Sequence, residues 1–228
     1  MTTHFLAGVT NVGDADQLAA LRTVDPSQYH MWWDDFDTFT AANWTVTETN
    51  SGATEAITPG DGGLLLITNT AADDDLVSMQ GQEVFRWAST KDLLMKVRFM
   101  VSDATQSDLL VGAAITDTSP LASLPSDGIF FYKADGSTSL VAHIRKDGTS
   151  TTLSLGAMAN ATMAEAALVY NAQTATWSAY FNGVRTASTT TSTNAPNDED
   201  IAVTISLQNG EAAAKTMTVD YLMIAKQR

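Results

Sequence analysis

Three aspartates follow two tryptophans in the segment MWWDDFDTF, residues 31–39. A pair of carboxylates can act as acid and base on a glycosidic bond, and indole rings can stack on sugar rings. On a strand, side chains two positions apart share a face, so Asp35 and Asp37 would lie together, opposite Phe36. The segment also fits a first strand whose rings pack inward and whose acids meet solvent, and we favour this second interpretation.

The tryptophans of this segment raise a question of exposure. Neighbouring residues of a strand point to opposite faces, so Trp32 and Trp33 cannot both enter one core, and one must be exposed or covered by another surface. Trp87 is a third ring that the pattern does not bury, whereas Trp44 and Trp177 alternate with polar neighbours and are predicted core residues. We therefore predict Trp32, Trp33 and Trp87 as candidates for stacking on a glycan.

Other catalytic and metal-binding patterns are missing from the sequence. There is no cysteine and no Gly-x-Ser-x-Gly motif, and His4, His30 and His143 are too scattered to form a metal-binding pair. We predict no catalytic residue, no metal ligand and no cofactor. Structural calcium is the alternative left open, with loop carboxylates at residues 72–76 and 197–200 as its candidate ligands. Solvated acidic clusters explain the same loops.

The composition fits a single acidic domain. The chain has 228 residues, which one large β-sandwich can account for. Its formal charge of −14 disfavours binding to nucleic acid or to anionic membranes. No apolar run approaches the roughly 18 residues of a membrane span, and the N-terminal residues lack the features of a secretory signal. We therefore predict a protein that is made in the cytoplasm and binds neither nucleic acid nor membranes.

Apolar residues alternate with period two in many segments, which predicts half-buried strands. These segments include 43–49, 93–101, 139–145, 174–181, 201–207 and 216–224. Asp-Gly and Asn-Gly dipeptides lie between several of them and favour hairpins because they tolerate positive φ. The spacing predicts about ten to twelve antiparallel strands in one sandwich or barrel, residues 31–228. Only residues 15–22 and 158–168 have a helix-like pattern.

Residues 1–30 differ from the rest because they show little strand-like alternation. Their apolar residues favour an N-terminal extended arm that attaches to another surface, although a disordered tail is the alternative. Together with the start of the first strand, this segment supplies the predicted interface residues. They are Phe5, Leu6, Val9, Leu18, Leu21, Tyr29, His30, Trp32 and Trp33.

Both ends of the predicted domain resemble a known fold. The start, WWDDFDTFTAANWTVTET at 32–49, and the end, MTVDYLMIAKQR at 217–228, resemble the first and last strands of concanavalin-A-like jelly rolls, a fold of lectins and glucanases. The segment WSAYFNGVR at 177–185 is similar to their recurrent hairpin with an Asn-Gly turn. This resemblance implies an all-β, antiparallel jelly-roll sandwich in which the two ends of the chain lie close in one sheet. Proteins of this fold often hold calcium.

The glucanases of this fold carry the motif Glu-x-Asp-x-x-Glu, or its shorter form, on an inner strand, so that a glutamate is followed two positions later by an aspartate. Such spacing holds two carboxylates on one face at the separation that glycoside hydrolysis needs, about 5–5.5 Å for retention. None of the six glutamates here has an aspartate at that spacing, and most are predicted to lie in turns or at loop edges. Glycoside hydrolase therefore stays a remote alternative.

A second resemblance covers most of the chain. Residues 25–69, 97–120 and 126–153 resemble virion structural proteins of tailed bacteriophages, which are often head decoration proteins. It implies a non-enzymatic decoration or cement protein on the capsid exterior, made in the bacterial host. Its partners would be the major capsid protein or another virion protein and further copies of itself, as a dimer or trimer. The alternative function is a lectin-like carbohydrate-binding module.

Overall fold

The structure is a computed structural model that describes residues 28–60 and 62–228. Within these ranges the chain forms fifteen strands and one 3-10 turn, Ala41–Asn43. No helix in the described ranges is long and apolar enough to cross a membrane. The helix-like segment 15–22 lies outside the described residues, and segment 158–168 is a turn that leads into a strand.

Two antiparallel sheets form the sandwich, and the larger one has eight strands. Seven of its strands follow the order β13-β12-β11-β6-β15-β4-β3, and β1 pairs with β15 beside β4. The strands are β1 (Tyr29–Asp34), β3 (Thr54–Thr58), β4 (Leu64–Thr68), β6 (Leu93–Val101), β11 (Ala164–Asn171), β12 (Thr176–Phe181), β13 (Val184–Thr189) and β15 (Thr216–Gln227).

The second sheet has seven strands in the order β10-β9-β8-β7-β14-β5-β2. Its strands are β2 (Thr45–Glu48), β5 (Leu76–Phe85), β7 (Ser107–Ala114), β8 (Gly128–Lys133), β9 (Ser139–Lys146), β10 (Thr149–Ala157) and β14 (Ile201–Asn209). Both sheets together form the jelly-roll sandwich that the sequence predicts. The fifteen strands exceed the ten to twelve that the sequence predicts, and they include short ones such as β3 and β4, with five residues each.

Because side chains alternate along each strand, one face of each sheet packs into a common core. In β14, Ile205 and Leu207 join this core, while Thr204 and Ser206 point to the outer face. That outer face is buried as well: the loop after β7 packs Leu121 into a small apolar cluster on it. The outer face of the seven-stranded sheet is therefore partly covered by the chain itself.

The first and last strands pair antiparallel, as the jelly-roll resemblance implies. Tyr29 lies opposite Gln227, and His30 lies opposite Lys226, with the His30 ring stacked on Phe85 at 4.4 Å between centroids. Both residues therefore belong to the sandwich and not to the arm to which we assigned them from sequence. The arm residues Phe5, Leu6, Val9, Leu18 and Leu21 lie outside the described part of the chain.

Candidate functional site

Trp32 lies on the inner face of β1, at the margin of the core. Its ring meets the ring of Trp44 edge to face, with 5.6 Å between the two centroids. Both rings are half-buried and pack against the core with part of their surface. Two indoles held at right angles leave apolar ring surface available to a ligand on the solvent side.

The chain leaves β1 through a turn that Asp34 stabilises. Its Oδ1 accepts a hydrogen bond from the Phe36 amide at 2.8 Å, and Phe36 adopts a φ of 52° with its side chain fully buried. The strand ends at Asp34 because of this turn. The prediction that Asp35 and Asp37 share a strand face is therefore wrong.

A 3-10 turn then positions Trp44. The Asn43 amide donates to the Thr40 carbonyl and the Trp44 amide donates to the Ala41 carbonyl, both at 3.0 Å. This tight turn presents Asn43 to solvent and directs the chain into β2, which belongs to the other sheet. Trp32 thus comes from β1 of the eight-stranded sheet, and Trp44 lies immediately before β2 of the seven-stranded sheet.

A β-bulge in β5 forms the opposite wall. Gln80 pairs with Thr204 and Glu83 pairs with Ala202, so Gly81 and Gln82 together oppose the single residue Val203. Such an extra residue bends the strand and re-aims its side chains. The bulge therefore brings Gln82 and the exposed Val84 to the same opening as Trp32, beside the recess that Trp44 lines.

Together these segments enclose a groove, which we call the Trp32 groove. Its main part has a volume of about 440 Å³ and adjoins a smaller recess of about 60 Å³. The lining residues are Trp32, Asp34, Ala42, Asn43, Trp44, Gly81, Gln82, Val84 and Val203. Aromatic walls with a few amide and carboxylate groups are the pattern of a small-molecule site.

Asp34 is the one charged residue among the groove's lining residues. Burial raises the pKa of this carboxyl, and the nearby charges of Asp35 and Asp37 raise it further against the lowering effect of the Phe36 hydrogen bond. A raised carboxyl pKa means that the surroundings favour the protonated form of this carboxyl. The lining has a single carboxylate, so it lacks the pair that glycoside hydrolysis uses.

Trp33 occupies the opposite face of β1, outside the groove. Its ring is 47% exposed and stacks on Tyr221 of β15, with 5.5 Å between centroids. The Lys96 ammonium lies 5.7 Å from the centre of the same Tyr221 ring, on the outer surface of the eight-stranded sheet. Met31, which shares this face, is also exposed. The opposite orientation that we predicted for Trp32 and Trp33 is therefore observed.

The positions of Trp87 and Trp44 differ from the predicted ones. Trp87 is only 4% exposed, and its ring contacts Tyr170 and Trp177 in the core, so it cannot stack on a glycan. It is buried because the in–out alternation of β5 continues beyond the end of the strand. Trp177 is fully buried as predicted, whereas Trp44, predicted to be core, lines the groove.

The glutamates are also placed differently from the prediction. Most are in strands, as Glu48 lies in β2, Glu55 in β3, Glu83 in β5 and Glu165 in β11. Burial raises the pKa of Glu55, and the charge of Glu48 adds to this. Neither residue lines the Trp32 groove. Glu165 pairs with Lys96 at 2.8 Å and accepts a hydrogen bond from the Tyr221 hydroxyl.

Three carboxylates of the two loops considered for calcium have partners within the protein. Asp75 is fully buried, and its two carboxylate oxygens accept hydrogen bonds from Asn50 and Thr70. Asp198 pairs with Lys146, and Asp200 pairs with Arg86. No group of three or more acidic or histidine side chains in the described ranges is arranged to hold a metal ion. Structural calcium at these two loops therefore stays a prediction.

The two histidines in the described part of the chain, His30 and His143, lie in different sheets. His143 lies in β9 between the rings of Phe130 and Tyr132, and burial together with Arg145 lowers its pKa to about 4. His30 lies in β1, and His4 is outside the described residues.

Two further grooves lie elsewhere on the described surface, and no aromatic side chain lines either of them. One, at the edge of the loop that covers the seven-stranded sheet, is lined by residues that include Asp74, Asp108, Leu121 and Gln208. The other is lined mostly by polar side chains, namely Ser89, Thr90, Asp92, Asn171, Gln173 and Gln227, together with Ala172. Neither has an aromatic lining residue, which distinguishes the Trp32 groove.

Comparison with protein families and curated proteins finds no match. Solved structures do match over nearly the whole chain. The carbohydrate recognition domain of Emp47p aligns with a TM-score of 0.62 at 12% identity, covering 89% of this chain and 98% of that one. A protein of unknown function from Shewanella oneidensis MR-1 aligns with a TM-score of 0.60 at 14% identity, covering 99% and 97%.

An enzyme has the same architecture. The endo-1,3-β-glucanase from Streptomyces sioyaensis aligns with a TM-score of 0.59 at 13% identity, covering 90% of this chain and 99% of the enzyme. At such identities the similarity shows the fold alone, which is the concanavalin-A-like jelly roll. Because this fold supports both binding and hydrolysis, the function has to be argued from the groove.

Proposed function

We propose that this chain is a non-enzymatic carbohydrate-binding module and that the Trp32 groove is its binding site. The observation that carries the proposal is the pair of half-buried indoles, Trp32 and Trp44, at one opening with polar side chains. A pyranose ring has an apolar face that stacks on an indole, and its hydroxyls need nearby donors and acceptors. Asn43, Gln82 and Asp34 supply these groups.

The dimensions and rigidity of the groove agree with this function. Its main part, which Trp32, Asn43 and Gln82 line, has a volume of about 440 Å³, within the roughly 300–1,000 Å³ of ligand sites, and Trp44 and Asp34 line the adjoining recess. Trp32 is fixed by strand pairing with Ile224, and Trp44 is fixed by the 3-10 turn. Preformed rings need little ordering when the ligand binds, which favours affinity. The single carboxylate of the lining fits binding better than hydrolysis.

Binding of oligosaccharides to a glycan array, followed by titration calorimetry, tests this proposal. Asn43→Ala removes an exposed polar contact with little effect on packing and is expected to weaken binding about tenfold, which corresponds to about 1.4 kcal/mol. Trp44→Phe is expected to weaken it similarly by reducing the stacking surface. Trp33→Ala is the matched control, because Trp33 lies on the opposite face of the same strand, and it should leave affinity unchanged. Equal losses in all three variants, or no binding to any glycan, would contradict the proposal.

A second candidate is a structural role in a tailed-bacteriophage virion, most specifically as a decoration protein on the capsid exterior. It is supported by the sequence resemblance of residues 25–69, 97–120 and 126–153 to such proteins and by the formal charge of −14, which suits the outside of a particle. The exposed Met31 and Trp33 offer an apolar surface for the major capsid protein or for a further copy in a dimer or trimer. Both roles are compatible, because a module on a virion surface can also bind glycans.

Cryo-electron microscopy of the phage particle tests the virion role. Density for this sandwich in many regular copies on the shell, with Trp33 against the lattice, is the expected result. Copies at the tail alone would contradict the capsid location, and the absence of the protein from purified particles would contradict the virion role.

A further inference from the structure

The charge of the Trp32 groove indicates which class of sugar it selects, provided that the groove binds carbohydrate as proposed above. Asp34 reaches the groove from the end of β1, beside the recess that Trp32, Trp44 and Asn43 line. Its position is fixed, because its Oδ1 accepts the Phe36 amide hydrogen. A ligand that stacks on either ring therefore meets a carboxylate with a defined location.

No lining residue of the groove carries a positive charge. Arg86, which follows β5, forms an ion pair with Asp200 at 2.9 Å. On the other side, Asp35 and Asp37 add negative charge next to Asp34. A cationic ligand would thus supply the counter-charge that the described residues around Asp34 do not supply.

We propose that the Trp32 groove prefers a hexosamine with a free amino group over neutral and carboxylated sugars. The ammonium group would pair with the Asp34 carboxylate, and the sugar ring would stack on Trp32 or Trp44. Charge-assisted hydrogen bonds are about twice as strong as neutral ones. An ammonium beside an indole face also gains from the cation–π interaction. A uronic acid would instead place a second negative charge beside Asp34.

Titration calorimetry with three oligosaccharides of equal length tests this preference. The probes are the glucosamine tetramer, the N-acetylglucosamine tetramer and tetragalacturonate, at about 0.15 M ionic strength, where the Debye length is about 8 Å. We expect the glucosamine tetramer to bind about tenfold more tightly than its acetylated form and tetragalacturonate not to bind. Asp34→Asn keeps the oxygen that accepts the Phe36 amide hydrogen and removes only the charge. It should abolish the tenfold preference, because the affinity for the glucosamine tetramer should fall much more than the affinity for the acetylated tetramer.

Asp73→Asn is the control for non-specific attraction between a cationic ligand and an acidic protein. It makes the same charge change at an exposed site outside the groove. This variant should keep the full preference. Equal loss in Asp73→Asn and Asp34→Asn would overturn the inference. Binding of the acetylated tetramer through Asn43 and Trp44 without any advantage for the amine would also overturn it, while the proposed function would stand. If no glycan on a broad array binds, both this inference and the proposed function are contradicted.

Discussion

Trp32 and Trp33 are neighbours in β1 but belong to different surfaces of the molecule. Trp32 meets Trp44 at the margin of the core, whereas Trp33 stacks on Tyr221 on the outer face of the eight-stranded sheet. Two rings that are adjacent in the sequence therefore belong to two surfaces, the margin of the core and the outer face of the eight-stranded sheet. The inner ring belongs to the Trp32 groove, and the outer ring is free to contact a larger partner.

The two tryptophans are expected to differ in their contribution to stability. Trp32→Ala should lower the free energy of unfolding by about 2 kcal/mol, because it removes a half-buried ring from the core margin. Trp33→Ala should cost about 1 kcal/mol or less, since the ring is 47% exposed and loses only its stacking on Tyr221. Urea unfolding of both variants measures the difference. A larger loss for Trp33→Ala would contradict the assignment of the two faces.

Asp75 is expected to be a major stabilising carboxylate. Burial alone would raise its pKa, but hydrogen bonds from Thr70 and Asn50 outweigh this and hold the pKa below its usual 3.8. Because the folded-state pKa is depressed, this contribution is present above about pH 4 and is lost as the pH falls through the folded-state value. Asp75→Asn should cost about 2–3 kcal/mol at neutral pH.

The measurement for Asp75 is urea unfolding at neutral pH and at about pH 3. The loss caused by Asp75→Asn should be smaller at the lower pH, because the carboxyl of the unfolded wild-type chain is then mostly protonated and folding must release that proton. Asp73→Asn, at the exposed neighbour in the same loop, is the matched control and should cost about 0.5 kcal/mol or less. A loss from Asp75→Asn that does not change with pH would show that its carboxylate charge contributes nothing.

Lys133 is a fully buried lysine at the end of β8. Its ammonium donates to the carbonyls of Ser107, Ala134 and Ser137, and burial lowers its pKa to about 8 despite nearby aspartates. Between the folded value of about 8 and the unfolded value of about 10.5, the unfolded chain binds more protons, so this group makes the protein more stable as the pH rises.

Lys133→Met tests this dependence, because methionine has a similar length and no charge. The difference in unfolding free energy between wild type and variant should increase in favour of wild type from about pH 8 to pH 10, by roughly 2–3 kcal/mol. Comparison of the two proteins cancels the opposite effect of buried tyrosines such as Tyr221, whose pKa is raised. A difference that stays constant over this range would mean that Lys133 does not titrate there.

Removal of residues 1–27 is expected to preserve the sandwich, because β1 and its pairing with β15 begin at Tyr29. Circular dichroism should retain its β signal, and thermal unfolding should stay cooperative. Removal of residues 1–34 is the contrasting variant, since it deletes β1 with Trp32 and should lower the melting temperature. If residues 1–27 form the attachment arm, the shorter deletion should also abolish binding to the phage particle. Full binding after that deletion would contradict the arm.

The fold could be predicted largely from sequence, and the groove only in part. Alternation in β6 and β14 identifies strands because a half-buried strand needs period two, and the paired ends follow the jelly-roll pattern. The same rule misplaces Trp44, because its exposure depends on where β1 and the bulge of β5 come together across the two sheets. That meeting involves residues far apart in the chain, which local patterns do not report.

Two errors near the groove had signals that could have been recognised. An aspartate can end a strand by accepting the amide hydrogen two residues on, as Asp34 does with Phe36, and Asp-rich segments favour such turns. Trp87 follows Phe85 and Arg86 in continued in–out alternation, which predicts burial even though the strand has ended. Gly81 was a local signal of the bulge, because an isolated glycine inside a strand often marks one, but no local pattern predicts that Gln82 lines the groove.

Nuclear magnetic resonance of the five tryptophan indole N–H groups tests the central claim most directly. During titration with an oligosaccharide that binds, the indole signals of Trp32 and Trp44 should shift together with one affinity. The signals of Trp33, Trp87 and Trp177 should stay in place, since these rings lie on the outer face or in the core. Shifts confined to Trp33, or saturable binding that moves neither Trp32 nor Trp44, would contradict the Trp32 groove as the binding site.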